Sequence, residues 1–344
     1  MSKKMNIILL VGGVGLSLLL SMAKGGAAIT LDEIGRVLAY RLFGILPPAD
    51  FDDVIVGLIW QIRLPRVLLS FIVGAALAVS GSVMQSVLKN PLASSYTVGV
   101  SAGAGLGAVL IIVLGISSSV LGMYLLPVVS IVFAMATIVF ATAFAQKVDV
   151  HLSNQSIVLV GVVLSVFINA VMMTLASRSP QYAQQISMWQ LGSFSMRGWS
   201  VVGIIGVVSL VLILWLCCYV KEMDGLTFGD EQASAIGIDV KKTKWLLLLL
   251  SSMLTGVSVA FVGVIGFVDL IAPHVIRRFF GARHQYVIPL SALFGGMFMV
   301  LADLLARTII APSEIPIGSV TALIGAPFFG YLFFKKSRGG ARGC

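Results

Sequence analysis

The chain consists of long apolar stretches separated by short polar segments. Most of these stretches hold about 20 residues, the length that a helix needs to cross roughly 30 Å of hydrocarbon. They are continuous, whereas the strands of a membrane barrel alternate in polarity over about 10 residues. The pattern therefore predicts an all-α membrane protein, a polytopic bundle of about ten transmembrane helices. The predicted spans lie at residues 5–23, 67–87, 97–115, 120–145, 156–176, 199–220, 245–264, 266–276, 286–306 and 316–334. The stretch at 266–276 is short enough to be a partial or tilted helix.

Composition and charge indicate a multi-pass protein of the cell membrane. Hydrophobic residues make up 58% of the chain and charged residues 11%, whereas a soluble domain holds about 25% charged residues. The net charge of +9 does not indicate nucleic-acid binding, because basic residues collect in the cytoplasmic loops of membrane proteins. With a cytoplasmic N-terminus and ten alternating spans, 15 of the 23 Lys and Arg residues fall inside. Both termini, the turn at Lys89 and the charged segment 221–244 are therefore expected in the cytoplasm.

We predict one transmembrane domain over residues 1–344. Residues 5–23 end in Ser21-Met22-Ala23, which resembles the cleavage site of a signal peptide. We expect a retained first helix, because many further spans follow and none needs cleavage. Thr30 and Glu33 predict the start of a helix, since a threonine caps exposed amides and acids suit a helix N-terminus. The parts of the domain are the first span with an outer loop (1–62), spans two to six (63–220), a cytoplasmic segment (221–244), spans seven to ten (245–335) and a tail (336–344).

Arg63 and Arg66 lie about one helical turn apart at the outer end of the second span. The proline between them suits the first turn of a helix, where its missing amide costs nothing. Two guanidinium groups on one side can each hold a carboxylate, which predicts a docking point for an acidic partner. Arginines at a membrane edge can instead extend to the lipid headgroups. Arg307 has a similar outer position, and Asp303 four residues before it allows an ion pair within the helix.

Gly99, Gly103 and Gly107 recur every fourth residue in the third span. This spacing predicts one glycine face that allows another helix backbone to approach closely. The same face could form a smooth wall beside a translocation path. The two interpretations do not exclude each other.

The charged segment 221–244 contains acidic residues followed by small ones and then a glycine, a pattern that predicts a short helix with a stop. Because the segment has no apolar run, this helix is expected outside the membrane. Either it belongs to a solvated loop or it inserts into a cytoplasmic partner.

The residue patterns typical of several kinds of catalytic and binding site are absent from this sequence. There is no Gly-Lys dipeptide, hence no Walker phosphate loop. His151, His274 and His284 stand isolated in the sequence, without a carboxylate at metal-ligand spacing, so neither a metal nor a cofactor is predicted. The spans also lack the buried charges that ion-coupled carriers use, and Asp269 is interpreted as a helix-end residue near an outer edge. A transporter of this kind must take its energy from a partner.

Taken together, the sequence resembles the FecCD-type permease subunits of ABC importers for iron chelates, haem and cobalamin. The resemblance covers about residues 58–335. The matching stretches, in the order of the family, are Arg63-Leu64-Pro65-Arg66, residues 73–81, Gln85, Asn90-Pro91-Leu92-Ala93, residues 99–104, residues 263–274, Ala302-Asp303, Ile315-Pro316-Ile317-Gly318 and Gly325-Ala326-Pro327.

This resemblance implies a permease without catalytic activity that works with several partners. These are a second copy of the chain or a paralogous permease, two cytoplasmic ABC ATPase subunits, and a substrate-binding protein on the outer side. It further implies that Arg63, Arg66 and Arg307 dock the binding protein. Asn90 and Leu92, with Asn154 and Gln155 ahead of the fifth span, are expected to form the cytoplasmic gate. The residues implied in coupling to the ATPase are Gly229, Asp230, Glu231, Ala233 and Gly237.

The cargo is predicted to be an iron-siderophore complex, with cobalamin or haem as the alternative. A secondary carrier that works without ATP is a second class of function, disfavoured by the charged segment and by the lack of ion sites. An intramembrane enzyme, the third class, lacks any nucleophile and base at recognisable spacing.

Overall fold

Helices form the regular structure of the chain throughout the described residues, which are 3–25, 29–45, 52–116, 122–149 and 153–340 of a computed structural model. Only the backbone is described for residues 122–123 and 332–340. No strand occurs within these ranges, so the predicted all-α class is confirmed. His151 and residues 341–344 of the predicted tail lie outside the described residues.

Fifteen α-helices follow one another along the described chain, with a π-helical turn at Leu58–Arg63 and a 3-10 turn at Pro180–Tyr182. The helices are α1 (Lys3–Ala23), α2 (Leu31–Phe43), α3 (Asp53–Gly57), α4 (Leu64–Val87), α5 (Val100–Val113), α6 (Gly122–Val148), α7 (Asn154–Arg178), α8 (Ala183–Leu191), α9 (Gly198–Cys217), α10 (Val220–Thr227), α11 (Asp230–Ala235), α12 (Val240–Val262), α13 (Val268–Phe280), α14 (His284–Thr308) and α15 (Ile317–Gly340).

The predicted spans coincide with helices. Within the described ranges, seven helical stretches are long and apolar enough to cross a membrane, and two shorter apolar helices lie at Val100–Val113 and Ile317–Tyr331. The stretch predicted to be partial, 266–276, corresponds to α13, which has 13 residues. The chain is therefore a multi-pass membrane protein. The count of ten crossings, and the side of the membrane on which each terminus lies, stay predictions.

Two helices extend beyond the predicted apolar runs. The helix that carries the second span begins at Asp53, before the apolar run at 67–87, because α3 and the π-helical turn continue directly into α4. Helix α12 begins inside the charged segment, at Val240, and includes Lys241, Lys242 and Lys244. The predicted helix start at Thr30 is confirmed: the Thr30 side chain accepts from the Glu33 amide, and Glu33 accepts from the Thr30 amide.

Helix α4 occupies the centre of the bundle and packs against α9, α12, α13 and α14. Small residues let the neighbours approach closely. A Cβ atom on Gly74 would lie 2.3 Å from the Gly295 carbonyl oxygen, and one on Gly81 would lie 1.9 Å from that of Asp269. Close backbone approach of this kind is the main source of helix association in a membrane, where lipid tails are as apolar as leucine.

Two polypeptide segments lack helical structure, at residues 88–99 and 263–267, and the first of them enters the interior from residue 93 onwards. A cluster of buried hydroxyl groups joins α4, the segment 88–99 and α12. The buried Ser80 hydroxyl lies 3.1 Å from Ser95 Oγ and 2.8 Å from Thr255 Oγ1, and it donates to the Ser251 carbonyl at 2.8 Å. Irregular backbone is tolerated at membrane depth only where protein or water satisfies it. In residues 88–99 the Ser94 amide donates to Thr97 Oγ1 and the Thr97 amide donates to Ser94 Oγ.

The view that the spans lack buried charges is wrong. Asp269 and Asp303 are buried, as are Arg63, Lys244 and Arg307. The position expected for Asp269, near an outer edge, is also wrong. Its backbone packs against Gly81, in the second half of α4. The interpretation of Asp269 as a helix-end residue is confirmed, since it stands in the first turn of α13.

Candidate gate and coupling site

The two segments predicted to form the gate are called the first and second gate segments. The first, residues 89–93, is a tight turn that follows α4. Lys89 adopts a left-handed backbone conformation with φ of 49°, and the Asn90 carboxamide oxygen accepts the Leu92 amide at 2.9 Å. A side chain that bonds the backbone two residues on stabilises a turn locally. The Leu92 side chain is 56% exposed, so the turn presents an apolar tip away from its own bundle.

The second gate segment, residues 153–155, forms the start of α7. Ser153 caps this helix by accepting the Ser156 amide, and Asn154 and Gln155 occupy its first turn. These two residues and Asn90 line one cavity of about 560 Å³. The structure therefore brings three of the four predicted gate residues together, although they are some 60 positions apart in sequence; Leu92 does not line this cavity.

The coupling segment, which we define as α10 and α11, projects from the same end of the bundle. The short helix predicted from acidic residues, small residues and a final glycine is α11. The sequence pattern does not predict α10, which precedes it. Gly229 and Gly237 have φ of 131° and 89°, a region that residues with side chains rarely adopt, so both glycines set the ends of α11. Between them Ala233 is fully buried and Glu231 is exposed.

The Asp230 carboxylate joins the coupling segment to both gate segments. One of its oxygens lies 2.7 Å from Lys89 Nζ and the other 2.6 Å from Lys244 Nζ. The Lys244 ammonium also donates to the Asn154 carboxamide oxygen at 2.9 Å. Burial by itself would raise the pKa of Asp230, but hydrogen bonds from Lys244 and Lys89 outweigh it and lower the pKa below its usual value. The carboxylate is therefore ionised. Its contact with Lys89, next to Asn90, confirms that the segment 221–244 lies at the same end of the bundle as Asn90.

A second link joins the coupling segment to α4 through His284. Its Nδ1 lies 2.6 Å from the Asp224 carboxylate on α10, and its Nε2 lies 2.5 Å from Ser86 Oγ on α4. His284 is therefore not isolated in the fold. The order serine, histidine, aspartate resembles that of a hydrolase, a contact that the spacing of these residues in the sequence does not reveal.

The setting of Ser86 favours a structural role for this group. Ser86 lies inside α4, its hydroxyl bonds the Ser82 carbonyl at 2.9 Å, and the Arg277 guanidinium donates to the same hydroxyl at 3.2 Å. The amides around it bond within the helix, so they cannot stabilise an oxyanion as a hydrolase requires. The network instead fastens the last turns of α4 to α10, α13 and α14.

At the opposite end of α4, the three arginines predicted to dock a partner form one cluster. Arg66 donates to Asp303 with Nε at 3.1 Å and Nη2 at 2.9 Å, and to Glu314 with Nη1 at 2.7 Å. Arg307 Nε lies 3.5 Å from Asp303, so the predicted pairing four residues apart is confirmed. The Arg66 guanidinium thus has two carboxylates of its own chain as partners.

Arg63 and Arg307 are more deeply buried, with 4% and 8% of their surface exposed. Arg63 donates to the Met22 carbonyl at 2.7 Å and to the Ala23 carbonyl at 3.1 Å, and Arg307 donates to the carbonyl and hydroxyl of Ser21. In this structure their guanidinium groups bind the end of α1 rather than extend to headgroups. The stretch that resembles a cleavage site is therefore integrated into the bundle, and the docking role of the arginines stays a prediction.

The glycines of the third span serve close packing of α5 against α6. A Cβ atom on Gly103 would lie 2.2 Å from Thr137 Oγ1, and one on Gly107 would lie 2.9 Å from the Ser130 Cα atom. Gly99 differs from the prediction of one helix face, because it precedes the helix as its N-cap with φ of 89°. A role of these glycines as a wall of the translocation path stays a prediction.

Sequence reasoning missed Lys244, Asp224 and Glu314 as members of these sites. Lys244 stands among three lysines of one segment, and only the fold buries it while Lys241 and Lys242 remain exposed. Asp224 and Glu314 contact residues 60 and 248 positions away, a separation that no local pattern could reveal.

Comparison with known proteins places this arrangement in a family. Residues 9–335 match the model of the FecCD transport family. The chain is 39% identical over 327 residues to the uncharacterized ABC transporter permease protein YvrB of Bacillus subtilis (strain 168), covering 95% of this chain and 92% of the relative. It is 39% identical over 287 residues to the hemin transport system permease protein HmuU of Yersinia pestis, covering 81% and 84%.

A solved structure has the same fold. It describes an inward-facing conformation of a transporter assigned to the metal-chelate type of ABC transporters, with a TM-score of 0.84 and 31% sequence identity, and the match covers 96% of this chain and 99% of the other. The family match extends over the outer arginine cluster, both gate segments and the coupling segment. The chain therefore belongs to the FecCD transport family.

Proposed function

We propose that this chain is the permease subunit of an ATP-driven ABC importer that moves an iron-siderophore complex across the cell membrane. The observation that carries this proposal is the contact between the coupling segment and both gate segments through Asp230. A movement imposed on the coupling segment from outside the membrane would reach the gate through these bonds. The permease itself would perform no covalent chemistry and hold no cofactor.

The proposed complex contains two permeases, either two copies of this chain or this chain with a paralogue. Two cytoplasmic ABC ATPase subunits would bind the coupling segments, with Glu231 exposed towards them between Gly229 and Gly237. A binding protein would deliver the cargo at the end of the bundle that holds Arg63, Arg66 and Arg307. The surrounding partner is membrane lipid, and no nucleic acid is involved.

An iron chelate is the proposed cargo because of what similar proteins carry. A relative at 39% identity is a hemin permease, and the matched structure is of the metal-chelate type. Haem is therefore the second candidate, and cobalamin is a third that the family resemblance implies. A cargo of this size suits a path that binds it weakly, because a narrow charged site would not release it.

Docking at Arg66 would require an exchange of partners. Its guanidinium is bound to the buried Asp303 and to the partly exposed Glu314. A carboxylate of the binding protein would therefore displace Glu314, whose pair with Arg66 lies nearer the surface and is worth less than a buried one.

Reconstitution into proteoliposomes with the partner ATPase and the binding protein tests the proposal. We expect binding protein loaded with a ferric siderophore to stimulate ATP hydrolysis and uptake several-fold more than the empty protein. Haem and cobalamin, offered in the same way, identify the cargo. An ionophore mixture serves as the control, because uptake driven by ATP should persist when ion gradients are dissipated.

Two results would contradict this function. Uphill uptake by the chain alone, without any ATPase, would identify a secondary carrier. Loss of uptake on dissipating the gradients, with ATP intact, would do the same.

A further inference from the structure

We infer that Asp230 is the positioning residue that links the coupling segment to the two gate segments. Lys244 is its fixed anchor, through which the second gate segment moves with the coupling segment, and Lys89 is its exchangeable contact with the first gate segment. This inference rests on the proposed function and assigns it to specific bonds. The observation behind it is that the two oxygens of one carboxylate serve different elements. One binds the turn after α4, and the other binds Lys244 near the start of α12.

The bond to Lys244 is the strong one. Lys244 is 1% exposed, and its ammonium has an anionic partner in Asp230 and a neutral partner in Asn154. Separation would leave a buried charge without compensation, which is strongly destabilising. The coupling segment, the start of α12 and the start of α7 are therefore held together as one unit.

The bond to Lys89 is the weaker one. About 30% of the Lys89 side chain is exposed, and an ion pair that water can reach contributes little and exchanges readily. Lys89 immediately precedes Asn90 in the first gate segment. The first gate segment can therefore separate from the unit and rejoin it at low cost, whereas the second gate segment moves with the unit at all times.

The Asp224 and His284 pair supports this assignment. It holds the end of α4 to α10 through Ser86, one turn before Lys89. The hinge of the first gate segment is thereby confined to the residues that follow Ser86. Lys89, with its left-handed backbone, lies at that point.

The test measures the gate directly in the complete complex. Leu92→Cys, in a chain whose three native cysteines are replaced by alanine, reports on the first gate segment through its rate of labelling by a membrane-impermeant maleimide. In the parent complex, MgATP with vanadate is expected to change this rate. In Lys89→Met we expect the change to shrink about fivefold, a typical size for coupling between sites, while Lys89→Arg, which keeps the ion pair, should retain it.

The variant Asp230→Asn combined with Lys244→Met tests the anchor without leaving a buried charge unpaired. It should assemble with the ATPase, and its response should shrink at least as much as in Lys89→Met. Lys242→Met is the matched control, because Lys242 lies in the same turn of α12 with its side chain exposed, and its response should equal that of the parent. A parent-sized response in Lys89→Met and in the double variant would overturn the inference. A parent complex that neither binds an ATPase nor hydrolyses ATP would contradict the proposed function instead.

Discussion

Asp303 is the residue on which the outer arginine cluster depends. Its side chain is buried and contacts both Arg66 and Arg307. Two desolvated guanidinium groups near one carboxylate are tolerable only because further acceptors are present: the carbonyl and hydroxyl of Ser21 for Arg307, and the carboxylate of Glu314 for Arg66. Removal of the shared carboxylate would leave two cations facing each other in a poorly solvated region.

We predict that Asp303→Asn destabilises the folded chain by about 3–5 kcal/mol, the range for breaking a buried pair. The matched control is Glu314→Gln, which removes the other carboxylate of Arg66. Because Glu314 is partly exposed, its loss should cost less than about 1 kcal/mol. Thermal unfolding of the purified protein in detergent compares the two. Equal losses of stability would show that burial of the Arg66–Asp303 pair does not decide how much the pair contributes to the stability of the folded chain.

At the scale of helices, close packing through small residues shapes the bundle. Helix α4 crosses α14 where Gly74 meets Gly295, and α5 lies against α6 at Gly103 and Gly107. The contact geometry leaves no room for a side chain at these points. Such contacts replace the hydrophobic effect, which does not drive helices together within lipid.

Gly103→Ala should therefore destabilise the protein by about 1–3 kcal/mol, the usual cost of overpacking. The added Cβ would collide with Thr137 and with the Phe133 carbonyl, which lies 2.8 Å from its position. Gly203→Ala in α9 is the control, since nothing lies within 4 Å of its Cβ position. There the change should be neutral or stabilising by up to about 1 kcal/mol. Unfolding temperatures that fall equally for both would contradict the packing interpretation.

At the scale of the whole molecule, α4 connects two charged sites at opposite ends of the bundle. Its N-terminal end carries Arg66, and its C-terminal end leads into Lys89. A helix of 24 residues is about 36 Å long, comparable to a bilayer core. Each site contains a carboxylate that an incoming subunit could compete for or move: Glu314 at one end and Asp230 at the other.

The exposed position of Glu314 gives a prediction about docking. If a carboxylate of the binding protein takes its place on Arg66, Glu314→Gln should strengthen docking by about two- to fivefold, because a competitor and a like charge are removed. Arg66→Gln should weaken it. Both effects should grow at low ionic strength, where charges are less screened. Titration of the binding protein onto the reconstituted complex measures the affinity, and unchanged affinity in both variants would exclude Arg66 from the docking surface.

The sequence by itself determined the helical membrane class and the position of most apolar helices. Continuous apolar runs leave few alternatives, since backbone groups in lipid must bond within their own segment. Caps such as Thr30 with Glu33, and the glycines around α11, were also readable, because they depend on neighbours only a few residues away. The family resemblance then indicated candidate residues for the gate and for coupling, whose roles stay predictions.

Only the tertiary structure decided which charges are buried and which partners they have. Lys244 and Lys242 look alike in sequence, yet only Lys244 reaches Asp230 and Asn154 in the interior. His284, Asp224 and Ser86 come from three helices far apart in the chain. Ion pairs and hydrogen bonds depend on distances of about 3 Å, which the folding of distant helices sets, whereas the crossing of a membrane depends on the composition of one local stretch.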